Sequence, residues 1–425
     1  MAFCPAARPL GSSCRAPLID TGEVLLKPAT RLAGLSYGLR GALPQLADDL
    51  EQRGRSIIRL HLGDPGAHRI PAPPVVLDAI QRCLHDSCSY SPTQGLPAAR
   101  TAIASYYQDS GLALTPADIL LGNGVSELVL LALQALLNPG DEVLVPTPGY
   151  PLWPAAIHLA GGTPIPYRCD EQAGWQPDPD HLTSQISPRT VALVANTPHN
   201  PTGAIWGAAV LRVLANIARR HRLVLMSDEI YAHIVYDTKH TILATLAPDL
   251  PCVTFNGLSK TCCIPGFRSA WMAVSGPRTT TRAYTQAVTQ LASLRLCPNV
   301  PAQHAITPAL HHIHNIETSL TGPAGPLRQR HDAAWEALSG IPGLSCVRPQ
   351  GAFYLFPRIP YGVDDRSDHD NTVAHELLHD YGVLISPGSD FHHGRNDHIR
   401  LCTLADPFQL KEAMTRIASY FAAVT

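Results

Sequence analysis

Residues 255–268 read F-N-G-L-S-K-T-C-C-I-P-G-F-R: an apolar strand end, a lysine, and an arginine eight positions later. Pro265 and Gly266 cannot continue a helix or a central strand, so Lys260 and Arg268 belong to a turn leaving a buried strand. A lysine there has two readings. It is a loop side chain with its ammonium in water, or an amine whose pKa burial lowers so that it attacks a carbonyl. Three more stretches bear on the choice. In "LLGNGVSELVLLALQALL" (120–137) a Gly-flanked turn opens into an apolar helix, so the N–H groups of Gly124, Val125 and Ser126 face outward as an anion site. In "NTPHNPTG" (196–203) Asn200 either enters a cleft or bonds its own turn. In "SDEIY" (227–231) Asp228 ends a very apolar run, where a carboxylate needs a cationic partner.

Taken together, these residues fit one ligand. The helix N-terminus and Arg268 suit a phosphate, Asp228 a protonated ring nitrogen, and Lys260 an aldehyde held as a Schiff base. That ligand is pyridoxal 5'-phosphate (PLP), whose ring needs an acidic partner to act as an electron sink.

The elements that must hold these residues follow from hydrophobic pattern. From 73 to about 300, helical segments alternate with the apolar runs "DEVLVP", "TVALVANT", "RLVLMSDE", "CVTFNG" and "SAWMAVSG". Such runs predict a largely parallel sheet covered on both faces. After 325 the pattern becomes helix, "LSCV", "AFYLFP", helix, "VLIS", "DHIRLCTL" and a closing helix, a smaller α+β unit. A helix over 42–54 and a strand over 56–63 join it. The expected organisation is an N-terminal arm (1–30), the N-terminal part of the small domain (31–72), a large PLP-binding domain (73–324) and a C-terminal small domain (325–425), with the ligand in the cleft.

Composition limits the alternatives. The chain has 425 residues, 45% hydrophobic and 16% charged, enough for a sizeable core. A net charge of −2 without a basic block argues against nucleic acid or anionic lipid as partner. Eleven cysteines lacking any C-x-x-C fit reduced thiols. The N-terminus lacks an apolar signal core, and "LVLLALQALL" is too short to span a bilayer. A soluble cytoplasmic protein is expected.

From about Tyr37 onward the chain resembles the class I/II, fold type I PLP-dependent aminotransferases, most closely their bacterial alanine (glutamate–pyruvate) branch. The likeness rests on "GNGVSEL", "YPLWPAA", "NPTG", "DEIY", "FNGLSK", "GFRSAWM", "RLCPNVPAQHAI" and "HIRLCTL". It implies an aspartate-aminotransferase-like α/β fold: a mainly parallel seven-stranded sheet between helices, plus the smaller α+β domain. It also implies a homodimer with active sites at the subunit interface, and ping-pong transfer of an amino group from an L-amino acid to a 2-oxo acid. Lys260 would carry the cofactor and shuttle the α-proton. Asp228 would pair with the ring nitrogen, Asn200 and Tyr231 with the phenolic oxygen, and Tyr150 would stack on the ring. Gly124, Val125, Ser126, Ser259 and Arg268 would surround the phosphate, with Tyr90 reaching the neighbouring subunit's. Arg400 would clamp the substrate α-carboxylate through two parallel bonds, and Gly63 would lie against the substrate. Arg40, on the segment covering the cleft, or Arg295, near the position where the partner subunit supplies such an arginine, would read a second carboxylate.

Some features depart from the pattern. Cys262-Cys263 stands where relatives carry an aromatic–basic pair, Thr197 replaces a proline, and Gly38 replaces an acidic residue. On this reading all three touch the pocket wall. Loss of the aromatic–basic pair leaves open a second PLP chemistry: β/γ-elimination, replacement or carbon–carbon bond formation, with S-adenosylmethionine as a candidate substrate. A PLP-sensing regulator would need a DNA-binding domain that the short arm cannot supply. "HELLHDYG" (375–382) matches the zinc-protease pattern H-E-x-x-H but lacks a third histidine, since Ile385 stands in its place. "HHIH" (311–314) and His392-His393 read as polar surface, so no metal is expected.

Overall fold

The structure, a computed structural model, describes residues 26–32, 35, 41–360 and 368–424. Arg40 and Gly38 lie outside the described residues, as does most of the arm. The described part of a separate N-terminal unit carries a 3-10 turn, Thr30–Leu32, with no buried residue. The elements that follow belong to the unit beginning at Leu35.

The helix predicted over 42–54 spans Ala42–Gln52. The strand predicted over 56–63 shrinks to β1 (Ile58–Arg59). Its next carbonyls leave the ladder for side chains: His61 O accepts from Arg400 and from Ser386, and Gly63 O accepts from Lys260.

One sheet dominates. Its strands are β2 (Ile119–Asn123), β3 (Glu142–Thr147), β4 (Thr163–Asp170), β5 (Gln176–Pro177), β6 (Thr190–Asn196), β7 (Val224–Asp228), β8 (Cys252–Gly257) and β9 (Ser269–Ser275), in spatial order β2-β9-β8-β7-β6-β3-β4-β5. The run from β8 to β4 is parallel, and β9 lies antiparallel between β2 and β8. Seven strands match the expectation; the two-residue β5 adds an antiparallel eighth at the edge. Both faces are buried, by alternation. Leu193, Leu225, Cys252 and Trp271 join one core with helices Pro97–Asp109 and Ala208–His221. Val194, Met226, Val253 and Met272 join another with helices Val125–Leu136 and Arg278–Ser293. Register sets Asn196 opposite Asp228, and Asp228 opposite Phe255, so polar residues line up at the carboxyl ends of the parallel strands.

A third core joins Ile58 and Leu60 to residues between Ala334 and Phe421. It holds helices Pro326–Ser339, His369–His379 and Pro407–Val424 with β10 (Tyr354–Leu355), β11 (Val383–Leu384), β12 (Ser386–Pro387) and β13 (Ile399–Cys402). β1 pairs parallel to β11, while β13 lies antiparallel between β10 and β12. "LSCV" forms no strand, only a bridge from Ser345 to Arg358. Among the described residues, no helix is long and apolar enough to cross a membrane.

Candidate active site

A cavity of about 520 Å³ opens at the carboxyl ends of β6, β7 and β8. It is lined by Gly63, Val125, Ser126, Tyr150, Asn200, Asp228, Tyr231, Ser259, Lys260, Arg268 and Arg400. Those residues come from eight separate stretches of chain.

Lys260 closes the short helix Leu258–Thr261, which begins directly where β8 ends. Its Nζ donates to Gly63 O at 2.5 Å. Burial lowers its pKa to about 8, against small opposing effects from Cys402 and Asp64. About a tenth of the amine is therefore unprotonated at pH 7, far more than for an ordinary lysine, which suits a nucleophilic role.

Asp228 ends β7 fully buried. It accepts from Trp153 Nε1 and from the Ile230 N–H, each at 3.3 Å. Burial raises its pKa to about 6, and neighbouring Glu229 adds to the rise. No lysine, arginine or histidine among the described residues forms an ion pair with it. A buried carboxylate with N–H donors on its flanks and no cation suits a pyridinium N–H.

The anion end is built by contact. Gly124 has φ +89, and a Cβ there would fall within the guanidinium of Arg268. The glycine thus lets Arg268 lie directly against the start of helix Val125–Leu136, where backbone N–H groups and the helix dipole favour a phosphate. Arg268 Nη1 is fixed by Pro265 O at 2.7 Å.

The carboxylate end comes from β13. Arg400 is 1% exposed, and Nη1 donates to Asn200 Oδ1 at 2.9 Å while Nη2 donates to His61 O. Its guanidinium carbon lies 4.5 Å from the Tyr354 ring centroid and 4.4 Å from that of Phe391, and Nε has no hydrogen-bond partner. Because Asn200 gives its carbonyl to Arg400, its NH₂ is left as a donor for an oxygen in the cavity. The Asn200 N–H is held by Asn196 Oδ1 at 3.0 Å, and Asn196 Nδ2 donates to Asp228 O at 3.2 Å. Asn196 therefore couples both ends of the cavity.

Asn196, Trp153 and Tyr354 carry functions that their sequence context hid. Trp153 and Tyr354 read as core aromatics in "PLWPAA" and "GAFYLFP", and Asn196 as a strand end. The signal in each was a polar atom inside an apolar run, which must find a partner. Tyr354 OH meets Tyr231 OH at 2.6 Å. A Cβ on Gly63 would strike Tyr354 and Phe353, so the glycine makes room for these aromatic rings.

Tyr90 and Arg295, expected to serve the neighbouring subunit's site, lie outside this chain's own cavity. Tyr90 is 79% exposed and away from this cavity. Arg295 does not line it: Nη2 donates to Leu121 O at 2.7 Å, and Nε is 3.3 Å from Glu127. Cys262 and Cys263 are buried in the core beneath the sheet rather than exposed in the cavity wall, which corrects the pocket-wall reading. His375 and His379 are exposed on one helix face, and Glu376 accepts from Tyr420 OH at 2.7 Å. Among the described residues no metal-competent cluster includes that pair. The surface reading of His393 is also corrected: its side chain is 7% exposed and packs on Trp175 and Phe356.

Comparison with known proteins agrees with this geometry. The family model for aminotransferase class I and II matches residues 55–417. Alanine aminotransferase of Mycobacterium tuberculosis is 43% identical over 92% of this chain and 92% of its own length. The glutamate–pyruvate aminotransferase of Escherichia coli is 41% identical over 93% of this chain and 98% of its own length. Among solved structures, an Escherichia coli aminotransferase superposes with TM-score 0.91 at 40% identity, covering 94% of this chain and 99% of that one. The alanine aminotransferase of Pyrococcus furiosus gives 0.88 at 33%, covering 93% and 100%. The chain belongs to the class I and II aminotransferases, and it is a PLP-dependent enzyme that moves an amino group between an amino acid and a 2-oxo acid.

Proposed function

We propose that the amino donor is a small L-amino acid of the alanine type, with a 2-oxo acid such as 2-oxoglutarate as acceptor. The observation that carries this is that both bacterial relatives, at 41–43% identity over nearly the whole chain, are alanine or glutamate–pyruvate aminotransferases. The cavity is compatible with it. Leu62, Ile230 and Tyr354 supply apolar wall, and the two lining arginines, Arg268 and Arg400, are taken up by the two ends of the site.

PLP, when bound, supplies an electrophilic carbon for the amino group and an electron sink for the charge left at the substrate Cα. In this reading Lys260 would be the residue that holds the cofactor, and its Nζ would take and hold the proton from the substrate Cα. Its lowered pKa suits both tasks, because the free amine is nucleophile and general base alike. Asp228 would keep the ring nitrogen protonated. Asn200, through Nδ2, and Tyr231 would serve the ring oxygen, and Tyr150 the ring face. Val125, Ser126, Ser259 and Arg268, beside Gly124, would hold the phosphate. Arg400 grips the substrate α-carboxylate through its two-pronged edge, next to Gly63. The dicarboxylate acceptor's second carboxylate falls to Arg40, since Arg295 is engaged with Glu127 and Leu121.

The homodimer is part of the same proposal. Tyr90 and Leu294, 79% and 83% exposed in the single chain, are large side chains suited to an interface, with Tyr90 reaching the partner's phosphate. A cytoplasmic setting agrees with free thiols at every described cysteine.

Two measurements test the assignment. Borohydride reduction of the holoenzyme should trap cofactor on Lys260, and Lys260→Ala should bind PLP only reversibly; a trapped adduct elsewhere contradicts the role. Comparison of kcat/KM for alanine, aspartate and a bulky amino acid should favour alanine by about tenfold or more, the order expected when one or two contacts decide. Preference for the bulky donor would overturn the substrate reading.

A further inference from the structure

Outside the active site, the loop from Phe391 to Asp397 leads into β13, which carries Arg400. At its end three ligand-competent atoms, from His393, Asp397 and His398, lie within 4.8 Å of one another. All three side chains are withdrawn from solvent, at 7%, 0% and 0% exposure. The two oxygens of Asp397 divide their partners. Oδ1 faces the imidazoles, 2.7 Å from His398 Nδ1 and 3.6 Å from His393 Nδ1. Oδ2 faces the guanidiniums, 3.3 Å from Arg395 Nε and 3.9 Å from Arg358 Nε.

We propose that His393 Nδ1, Asp397 Oδ1 and His398 Nδ1 bind a zinc-type divalent transition ion, with a water as fourth ligand. Ligands around a tetrahedral ion at ordinary zinc distances stand about 3.3–3.4 Å apart, so separations of 2.7 and 3.6 Å need only small shifts. His393 Nδ1 has no hydrogen bond although it is buried, which leaves a lone pair or N–H unmatched without an ion. The outer contacts match those of metal centres. His398 Nε2, which has no hydrogen bond within normal geometry, lies 3.4 Å from Glu171 Oε1, the carboxylate–histidine–metal order that fixes an imidazole's tautomer. Arg395 and Arg358 hold the carboxylate's other oxygen and offset its charge. A cavity of about 400 Å³, lined by His393, Arg395, Arg358 and Glu171, provides the entry path and room for the water. On binding, the ion replaces the proton shared by Asp397 and His398, which leaves to solvent.

The ion does no chemistry on the amino acid; it fixes a loop. The same loop carries Phe391, packed against Arg400, and its backbone accepts from Thr147 Oγ1 at 2.6 Å and from the Gly149 N–H at 2.8 Å.

The test uses PLP-loaded full-length protein, stripped with chelator and free of amino acid. Titrated with Zn²⁺ in a non-chelating buffer, it should retain one ion per chain by elemental analysis and gain thermal stability. His393→Phe, which keeps the aromatic packing, and His393→Gln should each weaken retention by tenfold or more while keeping PLP content. The pair His375→Gln/His379→Gln should bind as the parent does. Co²⁺ should give the visible bands of a nitrogen/oxygen tetrahedral site. No retained ion, parent-like binding by both His393 variants, loss in the His375/His379 pair, or thiolate bands with Co²⁺ would each overturn the site.

Discussion

Asp228 shows how one carboxyl ties cofactor affinity to stability. Its pKa of about 6 in the cofactor-free protein lies above the ordinary 3.8 because burial penalises the charged form. The native state therefore holds this proton more tightly than the unfolded chain. The resulting stability is full below about pH 4 and lost as pH rises through 6, on the order of 3 kcal/mol for a shift near two units. Urea unfolding of cofactor-free Asp228→Asn should lack that decline, and the parent should show it; equal pH slopes would contradict the account. The same substitution should weaken PLP binding, since the ring nitrogen loses its counter-charge. Lys260 titrates the other way. Its pKa of about 8 means that cofactor capture by the apoenzyme should speed up as pH rises to 8 and level off above it, when followed by absorbance. A rate independent of pH would place the attacking amine elsewhere. Both residues were legible in the sequence because each is a charge at the end of an apolar run. Tyr354 and Trp153 were not, because an aromatic ring in an apolar run looks like core until its polar atom is followed to a partner.

At the level of elements, the site depends on where strands stop. The apolar runs predict four of the five parallel strands, β3, β6, β7 and β8, but not β4, whose prolines break its run, and the register of β6 and β7 brings their last residues level. What the pattern could not reveal was the early end of β1, because apolar residues continue while the carbonyls of His61 and Gly63 turn to Arg400 and Lys260. Nor could it reveal that Gly124 serves Arg268. Gly124→Ala should force the guanidinium aside and strain a positive φ, costing about 1–3 kcal/mol of stability. It should also weaken PLP affinity by about tenfold or more, by equilibrium dialysis, for a lost charge-assisted contact; unchanged affinity would remove Arg268 from the phosphate. The vicinal cysteines teach the opposite lesson. Resemblance and their place between Lys260 and Arg268 put them beside the ligand, yet they pack inward, so Cys262→Tyr with Cys263→Arg should overpack the core. Thermal melting should show a loss of at least about 1–3 kcal/mol for both substrates' enzyme forms, with no selective effect on large donors.

On the scale of the whole molecule, the active site is where two cores meet. The sheet supplies Asn200, Asp228 and Lys260 and its core holds Tyr354, while β13, whose Ile399 and Leu401 pack in the core of residues 334–421, supplies Arg400, joined by the Arg400–Asn200 bond. The alternation of helical and apolar runs pointed to a large and a smaller part, and we propose the boundaries 72/73 and 324/325 on the same ground. The proposed second chain rests on resemblance, because a single sequence carries no mark of which exposed side chains a partner covers. Sedimentation equilibrium should give two chains per particle, and a fully active monomer would contradict the role given to Tyr90. The central claim is a half-transamination carried out by these residues on a small amino acid. Mixing holoenzyme with L-alanine alone, with no oxo acid present, tests it most directly. The account predicts that the absorbance of the aldehyde cofactor gives way to that of its amine form, with one pyruvate released per site. An unchanged spectrum, or turnover of alanine that never yields the amine form, would contradict it.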